Sequence, residues 1–174
     1  MCSSDLVRAR EGLSGDTGTT LGEPPPALVE FREGPWRFVA DLQRGQKTGF
    51  YLDQRLARQE LATRCPSGAI VLNAFSYTGG FAVAALSGGA SRVVNVDTAA
   101  AAHQLAMENL RRNGLAAEQC EFRTADVFHE LRRCRDAREE YDLVVLDPPK
   151  FADTKARVPA AARGYKDINL LAIK

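Results

Sequence analysis

The 174-residue chain lacks an excess of charge of either sign: 23 Lys and Arg stand against 22 Asp and Glu. That excludes the global basic field of a general nucleic-acid binder, so any RNA binding must come from a local patch. No C-x-x-C pair is present. Cys2, Cys65, Cys120 and Cys134 are scattered, without a histidine cluster, which argues against zinc. Isolated thiols of this kind fit a reducing compartment better than a disulfide framework. There is no apolar run long enough to cross a bilayer and no apolar core of signal-peptide type at the N-terminus. Internal repeats are missing too. So are the phosphate-cradling patterns G-x-G-x-x-G and G-x-x-x-x-G-K-[ST]. Together these absences predict a cytoplasmic protein without metal or membrane.

What is present is ordinary globular material, 45% hydrophobic and 26% charged, in a chain long enough for one domain with a real core. Residues 1–27 are rich in Gly, Ser, Thr and Pro and have no periodicity, so they read as a flexible leader. Residues 28–45 alternate. Val29 and Phe31, then Trp36, Phe38 and Ala40, recur at every second position around Gly34-Pro35, which predicts a β-hairpin.

Residues 46–174 form the remaining domain, and from Ala69 strands alternate with helices. "AIVLNAF", "RVVNVD", "CEFRTAD" and "YDLVVLD" are apolar strands. "GGFAVAALSGGA", "TAAAAHQLAMENLRRNGL" and "VFHELRRCRDAR" are the helices after the first three. In the second helix Thr98 suits the N-cap, Arg111 and Arg112 the negative C-terminal end, and Gly114 the position just past it. This alternation predicts an α/β fold, a doubly wound, mostly parallel sheet covered on both faces.

Ligands of such sheets bind beyond the carboxyl ends of the strands. Those ends carry Asn73 and the loop Ala74-Phe75-Ser76-Tyr77-Thr78-Gly79-Gly80, then Asp97, Asp126 and Asp147. One acid could be a helix cap, as Asp126 before "VFHEL" could be. Three in phase after a glycine turn fit a ligand with ribose hydroxyls and an adenine edge, Asp97 falling just under twenty residues past the glycines. S-adenosylmethionine has that shape. NAD is the alternative, and the adjacent glycines argue against it.

Six stretches in order carry a resemblance: "KTGFYLDQR" (47–55), "NAFSYTGGFAVAAL" (73–86), "VVNVDT" (93–98), "DVF" (126–128), "DPPKF" (147–151) and "RGYKDINLLAI" (163–173). Together they resemble the class I S-adenosylmethionine-dependent methyltransferases of large-subunit ribosomal RNA, closest to the cytosine C5 methyltransferase I subfamily. The likeness runs from about Val29 to the end of the chain. It implies a Rossmann-like fold with S-adenosylmethionine as cofactor and ribosomal RNA as partner. Asn73, Phe75, Ser76, Tyr77, Thr78, Gly79 and Gly80 would then line the methionine and sulfonium end. Asp97 would hold the ribose and Asp126 the adenine amine. Asp53, Gln54 and Arg55 are further cofactor contacts by the same resemblance.

In "DPPKF" two prolines end a strand and hold the backbone rigid next to the sulfonium. The resemblance places Asp147 at the cofactor and at the N3/N4 edge of a flipped cytosine, Pro148 and Lys150 with it in catalysis, and Lys150 and Phe151 on the substrate. A solvated lysine and a core phenylalanine are the plain alternatives for the last two. The family's nucleophile is a cysteine on a strand after the last motif, and the four cysteines present do not match it. A full domain of this class has about seven strands, whereas four are legible. The sequence therefore reads as a truncated piece, inactive by itself, whose sheet is incomplete. Two other functions stay open: methylation of another base position, such as guanine N7, and a non-catalytic RNA-binding module using Arg111, Arg112, Arg132, Arg133, Arg135 and Arg138.

Overall fold

A computed structural model of the chain describes residues 22–24, 26–45 and 48–174. Most of the leader expected over 1–27, together with Cys2 and Lys47, lies outside the described residues. The chain divides into two compact units, Met1–Arg55 and Leu56–Lys174.

In the first unit, β1 (Val29–Glu33) and β2 (Trp36–Ala40) form the expected antiparallel hairpin, in register from Val29 opposite Ala40 to Glu33 opposite Trp36. The turn is two residues long, and Gly34 supplies a positive φ of 58°. Phe31, Phe38 and Phe50 pack together, with Phe50 centred 4.8 Å from each of the other two rings. A 3-10 turn, Leu52–Gln54, comes next.

Helix α1 (Arg55–Arg64) starts at the last residue of the first unit, and the strand–helix alternation of the second unit follows it. The elements are β3 (Ile70–Ala74), α2 (Gly80–Ser87), β4 (Arg92–Asp97), α3 (Ala100–Arg112), β5 (Cys120–Thr124), α4 (Val127–Ala137), β6 (Leu143–Leu146) and α5 (Val158–Ile173). The four strands are all parallel, in the order β5-β4-β3-β6. The winding direction therefore reverses between β3 and β6, the place where open α/β sheets leave a crevice.

Alternation within the strands divides the core into two layers. Leu72 and Ala74 of β3 and Val94 and Val96 of β4 pack with Val127 and Leu131 of α4 and with Ile168 and Leu171 of α5. The intervening Val71 and Val93, both fully buried, belong to the opposite face of the sheet. Helix α4 buries Val127, Glu130, Leu131 and Cys134, the i, i+3, i+4, i+7 stripe of an amphipathic helix. Its N-cap is Asp126, whose Oδ1 accepts from the His129 amide at 2.9 Å.

Three expectations need amendment. Thr98 does not cap α3: the N-cap residue is Ala99, whose amide donates instead to Asp97 Oδ1 at 2.9 Å. A carboxylate is the stronger acceptor there. The arginines of α3 and α4 do not form an open basic face. Arg111 and Arg112 pair with Glu108, Arg132 with Asp167, Arg133 with Glu130 and Glu139, and Arg135 with Asp136. The motif "RGYKDINLLAI", to which the sequence pattern assigned no element, is helical: it is the body of α5, which starts with Val158-Pro159 in its first turn.

A half-buried charge cluster fastens the β5 edge. Arg123 donates to Glu121 at 2.6 Å, to Glu130 at 2.8 Å and to Glu139 at 2.9 Å. Burial by itself would raise the Glu139 carboxyl. Hydrogen bonds from Arg123, Tyr141 and Arg133 outweigh it and hold the group at about 2, against an ordinary 4.5. In Glu130 burial is likewise outweighed, by Arg133 and Arg123, and the bond from Arg123 lowers Glu121. A carboxylate whose folded value lies below its unfolded one stabilises the fold above the unfolded value and loses that contribution as the pH falls toward the folded one. Thermal stability should therefore decline from about pH 4.5 toward about pH 2. Replacing Arg123→Met should flatten that decline while lowering the melting temperature at neutral pH. An unchanged acid profile in the variant would show that the cluster is not its origin.

Candidate active site

The loop between β3 and α2 is the most strained backbone among the described residues. Phe75, Tyr77 and Gly79 have φ values of 58°, 44° and 74°. Two of the three carry a side chain, for which such angles cost free energy and persist only where the surroundings enforce them. The enforcing contacts are visible. The Ser76 amide donates to the Val96 carbonyl at 3.0 Å, and the Gly79 amide to the Ser76 carbonyl at 2.9 Å. The Tyr77 amide donates to Asp97 Oδ2 at 2.9 Å. Asn109 on α3 donates from Nδ2 to the Thr78 carbonyl at 2.9 Å.

Asp97 therefore uses one lone pair of each carboxylate oxygen on backbone amides, Oδ2 on Tyr77 and Oδ1 on Ala99. Each oxygen keeps a second acceptor site. Asp126 is exposed and in the same condition: Oδ1 caps α4 and the rest of the carboxylate remains available. Asp126 caps a helix, Asp97 accepts from the N-cap residue of another, and both retain acceptor sites. Ser76, Thr78, Gly79 and Gly80 are buried, and Phe75 and Tyr77 half-buried. Asn73 is placed differently. It is 1% exposed and donates from Nδ2 to Asn95 Oδ1 at 2.9 Å, inside the sheet below the loop.

Asp147 and Pro148 come directly after β6 and are half-buried, and Lys150 is exposed. Because β6 is paired to β3, the "DPPKF" tip and the glycine loop emerge from adjacent strands on either side of the winding reversal. Phe151 is half-buried. Its ring stacks on Tyr165 with centroids 4.4 Å apart, and the Phe128 ring stands 5.7 Å away. Asp53 and Gln54 lie in the 3-10 turn of the first unit, and Arg55 ends that unit. Among the described residues no group of His, Cys, Asp and Glu is arranged to hold a metal ion.

Sequence reasoning missed two residues. His103 of α3 is buried, with Nε2 3.5 Å from Ser76 Oγ and Nδ1 3.3 Å from Thr124 Oγ1, so it braces the ends of β3 and β5. Burial lowers its pKa, and the nearby Asp97 pulls the other way. A single histidine in an alanine-rich helix carries no spacing signal. Tyr165 of α5 accepts from the Phe151 amide and donates to the Pro149 carbonyl, both at 3.3 Å. It holds the "DPPKF" tip from a helix fourteen residues on. The tyrosine lies in the last of the six motifs, but its partner is not readable from that motif.

Gly79 is required twice. A Cβ there would stand 2.7 Å from the Ala106 Cβ, and its φ of 74° disfavours any side chain. Gly79→Ala should destabilise the protein by about 2–4 kcal/mol, the left-handed cost plus overpacking. Adding Ala106→Gly should recover only the overpacking part, less about 1 kcal/mol for a glycine within a helix. Denaturant midpoints at constant slope measure both. Strict additivity of the two changes would mean that these two residues do not meet.

The glycine loop and the strand-end acids stand beside a sheet's winding reversal, the place where open α/β sheets bind ligands. A family model described as S-adenosylmethionine-dependent methyltransferase matches residues 13–168. Ribosomal RNA large subunit methyltransferase I of Erwinia tasmaniensis is 48% identical over 168 residues, which cover 97% of this chain and 42% of that protein. The protein of the same name from Photobacterium profundum is 50% identical over 172 residues, covering 99% and 43%. The chain thus spans less than half the length of these curated relatives. The crystal structure of SMU.776, described as a methyltransferase complexed with SAH, aligns with a TM-score of 0.70 at 35% identity, over 78% of this chain and 36% of that one. A SAM-dependent methyltransferase from Agrobacterium tumefaciens shares the fold, with a TM-score of 0.69 at 24% identity over 84% and 50%. With a family model matched over nearly its whole length and this strand-end geometry, the chain belongs to the S-adenosylmethionine-dependent methyltransferases.

Proposed function

We propose that this chain is the cofactor-binding part of a methyltransferase that acts on cytosine C5 of large-subunit ribosomal RNA. The observation that carries the reading is the juxtaposition of the Asp97-held glycine loop and the "DPPKF" tip across the β3–β6 reversal. The relatives named ribosomal RNA large subunit methyltransferase I supply the substrate class. The residues present fit S-adenosylmethionine: acceptor carboxylates stand at two strand ends, and a tight backbone loop extends from a third. When bound, the cofactor supplies the methyl group.

In this reading the free acceptor sites of Asp97 take the two ribose hydroxyls, and those of Asp126 take the adenine amine. The loop from Phe75 to Gly80 encloses the methionine end, and Asn73 supports it from within the sheet. Asp147 meets the N3/N4 edge of the flipped base, and Pro148 fixes the backbone that presents it. Lys150 neutralises a phosphate near the base. Phe151 is engaged with Tyr165 and Phe128, so the tip can offer only the remaining face or edge of that ring to a base. For Asp53, Gln54 and Arg55 the proposal rests on the resemblance of the 47–55 stretch alone.

Cytosine C5 becomes nucleophilic only after a thiolate adds to C6. The described cysteines are poor candidates for that thiolate. Burial pushes Cys120 up to about 11 and raises Cys65 and Cys134 as well. A thiol held in its neutral form by burial is inert, so the nucleophile is assigned to none of these three.

Two experiments test the reading. Calorimetry with S-adenosylmethionine should show Asp97→Ala losing about 1.5–3 kcal/mol of affinity, as expected for bonds to a charged acceptor. Asp147→Ala should bind the cofactor within about twofold of the parent, a change below 0.5 kcal/mol. Melting curves on both variants separate loss of a ligand contact from loss of the loop. If Asp97→Ala stayed folded and kept full affinity, the nucleoside site would be misplaced.

The second experiment incubates the chain with labelled S-adenosylmethionine and 5-fluorocytidine RNA, then runs a denaturing gel. No covalent protein–RNA band is expected. A labelled band would make one of the chain's own cysteines the nucleophile.

A further inference from the structure

Cations on the second unit fall into two classes. Those of α3 and α4 that pair with Glu108, Asp167, Glu130, Glu139 and Asp136 are neutralised within the fold, and the surface hollow along α4 is lined by Arg132, Arg133 and Asp136 of that paired set together with His129. Lys150, Lys155, Arg157, Arg163 and Lys166 are different. All five are exposed, and among the described residues none has a carboxylate oxygen within 4.0 Å; Arg138, at the end of α4, is the same but stands apart from them in the chain. Residues 150–166 hold these five cations and a single acid, Asp153, so the segment's charge of +4 exceeds the +1 of the whole chain. The rest of the protein, with 18 Lys and Arg against 21 Asp and Glu, is net negative.

The position of the segment matters as much as its charge. It starts at the "DPPKF" tip and ends within α5, which Tyr165 locks onto that tip. The tyrosine ring stacks on Phe151 at 4.4 Å, and its hydroxyl bridges the Phe151 amide and the Pro149 carbonyl. Arg163 and Lys166, three residues apart on α5, share one helix face. Lys155 and Arg157 occupy the 3-10 turn just before the helix. Like charges gathered without counter-charges repel one another and add nothing to folding. Every helical arginine with a partner shows that this chain can place a carboxylate when charge is only structural.

We propose that residues 150–166 are the surface on which the RNA backbone lies as its target base enters the site, with Lys155, Arg157, Arg163 and Lys166 neutralising phosphates on either side of it. This rests on the RNA methyltransferase reading and adds the approach path to it. A strip of free cations beside the base-handling tip steers and registers the polyanion without reading its sequence.

The test uses the 174-residue chain and a short fluorescent single-stranded RNA of mixed sequence. Affinity is measured over a salt series for the parent, for a Lys155→Gln/Arg157→Gln/Arg163→Gln/Lys166→Gln variant, and for an Arg111→Gln/Arg135→Gln control from the paired class. The slope of log affinity against log salt should flatten by about 0.7 per lost contact, close to 3 in all for the fourfold variant, and stay unchanged in the control. Calorimetry should show cofactor binding intact in all three, which establishes that they are folded. An unaltered slope in the fourfold variant, or equal flattening in the control, overturns this surface and leaves the methyltransferase reading standing. Failure of the parent chain to bind RNA at any salt overturns it as well. Flattening as expected, with no cofactor binding in any chain, keeps the surface and sinks the reading beneath it.

Discussion

The carboxylate of Asp97 holds the working end of the sheet together. Its Oδ2 fixes the Tyr77 amide of the glycine loop, its Oδ1 fixes the Ala99 amide that opens α3, and its own backbone carbonyl accepts from Ala125 beyond β5 at 3.1 Å. One residue at the tip of β4 thus links the segments leaving β3, β4 and β5. Bonds to an ionised acceptor are roughly twice as strong as neutral ones, and these stand at the half-buried end of a parallel sheet. The positive φ angles of Phe75 and Tyr77 can persist because of that anchorage.

From this anchor the chemistry of the site develops. The strained loop is held by backbone bonds rather than by long side chains, whose ordering would cost entropy. His103 stiffens the same region from α3 by reaching both Ser76 and Thr124. Across the reversal, the prolines end β6, and Tyr165 pins the tip they create. The glycine-loop side is held by a charge and a histidine, the "DPPKF" side by an aromatic stack and a hydroxyl. The two sides are joined by the pairing of β3 with β6.

Backbone bonding and ligand binding are not competing accounts of the strand-end acids. Asp126 caps α4 and Asp97 accepts from the Tyr77 and Ala99 amides, and each still has acceptor sites to spare. Backbone bonds of this kind orient a carboxylate, which lowers the cost of placing it correctly for a ligand. Asn73 and Asn95 show the opposite use of polar groups. They pair with each other in the sheet interior and leave Asn73 Oδ1 and Asn95 Nδ2 without a hydrogen-bond partner among the described residues. Such an arrangement costs stability.

The sequence by itself determined the elements and the chemistry at their tips. Apolar runs bounded by turns marked all four parallel strands, Gly34-Pro35 marked the hairpin turn, and Gly114, with its φ of 67°, ended α3 where expected. These are local signals, set by backbone sterics and by the period of burial, and they survive any arrangement of the elements. The tertiary structure decided everything that depends on which distant residues meet. It put the N-cap of α3 at Ala99 rather than Thr98, paired most of the arginines of α3 and α4 with carboxylates at the surface, buried Asn73 against Asn95, and brought Tyr165 onto Phe151. A side chain's partner depends on strand order and helix rotation, which no spacing along the chain encodes. The same folding that satisfied most of the helical arginines left the cations of residues 150–166 unsatisfied at the surface.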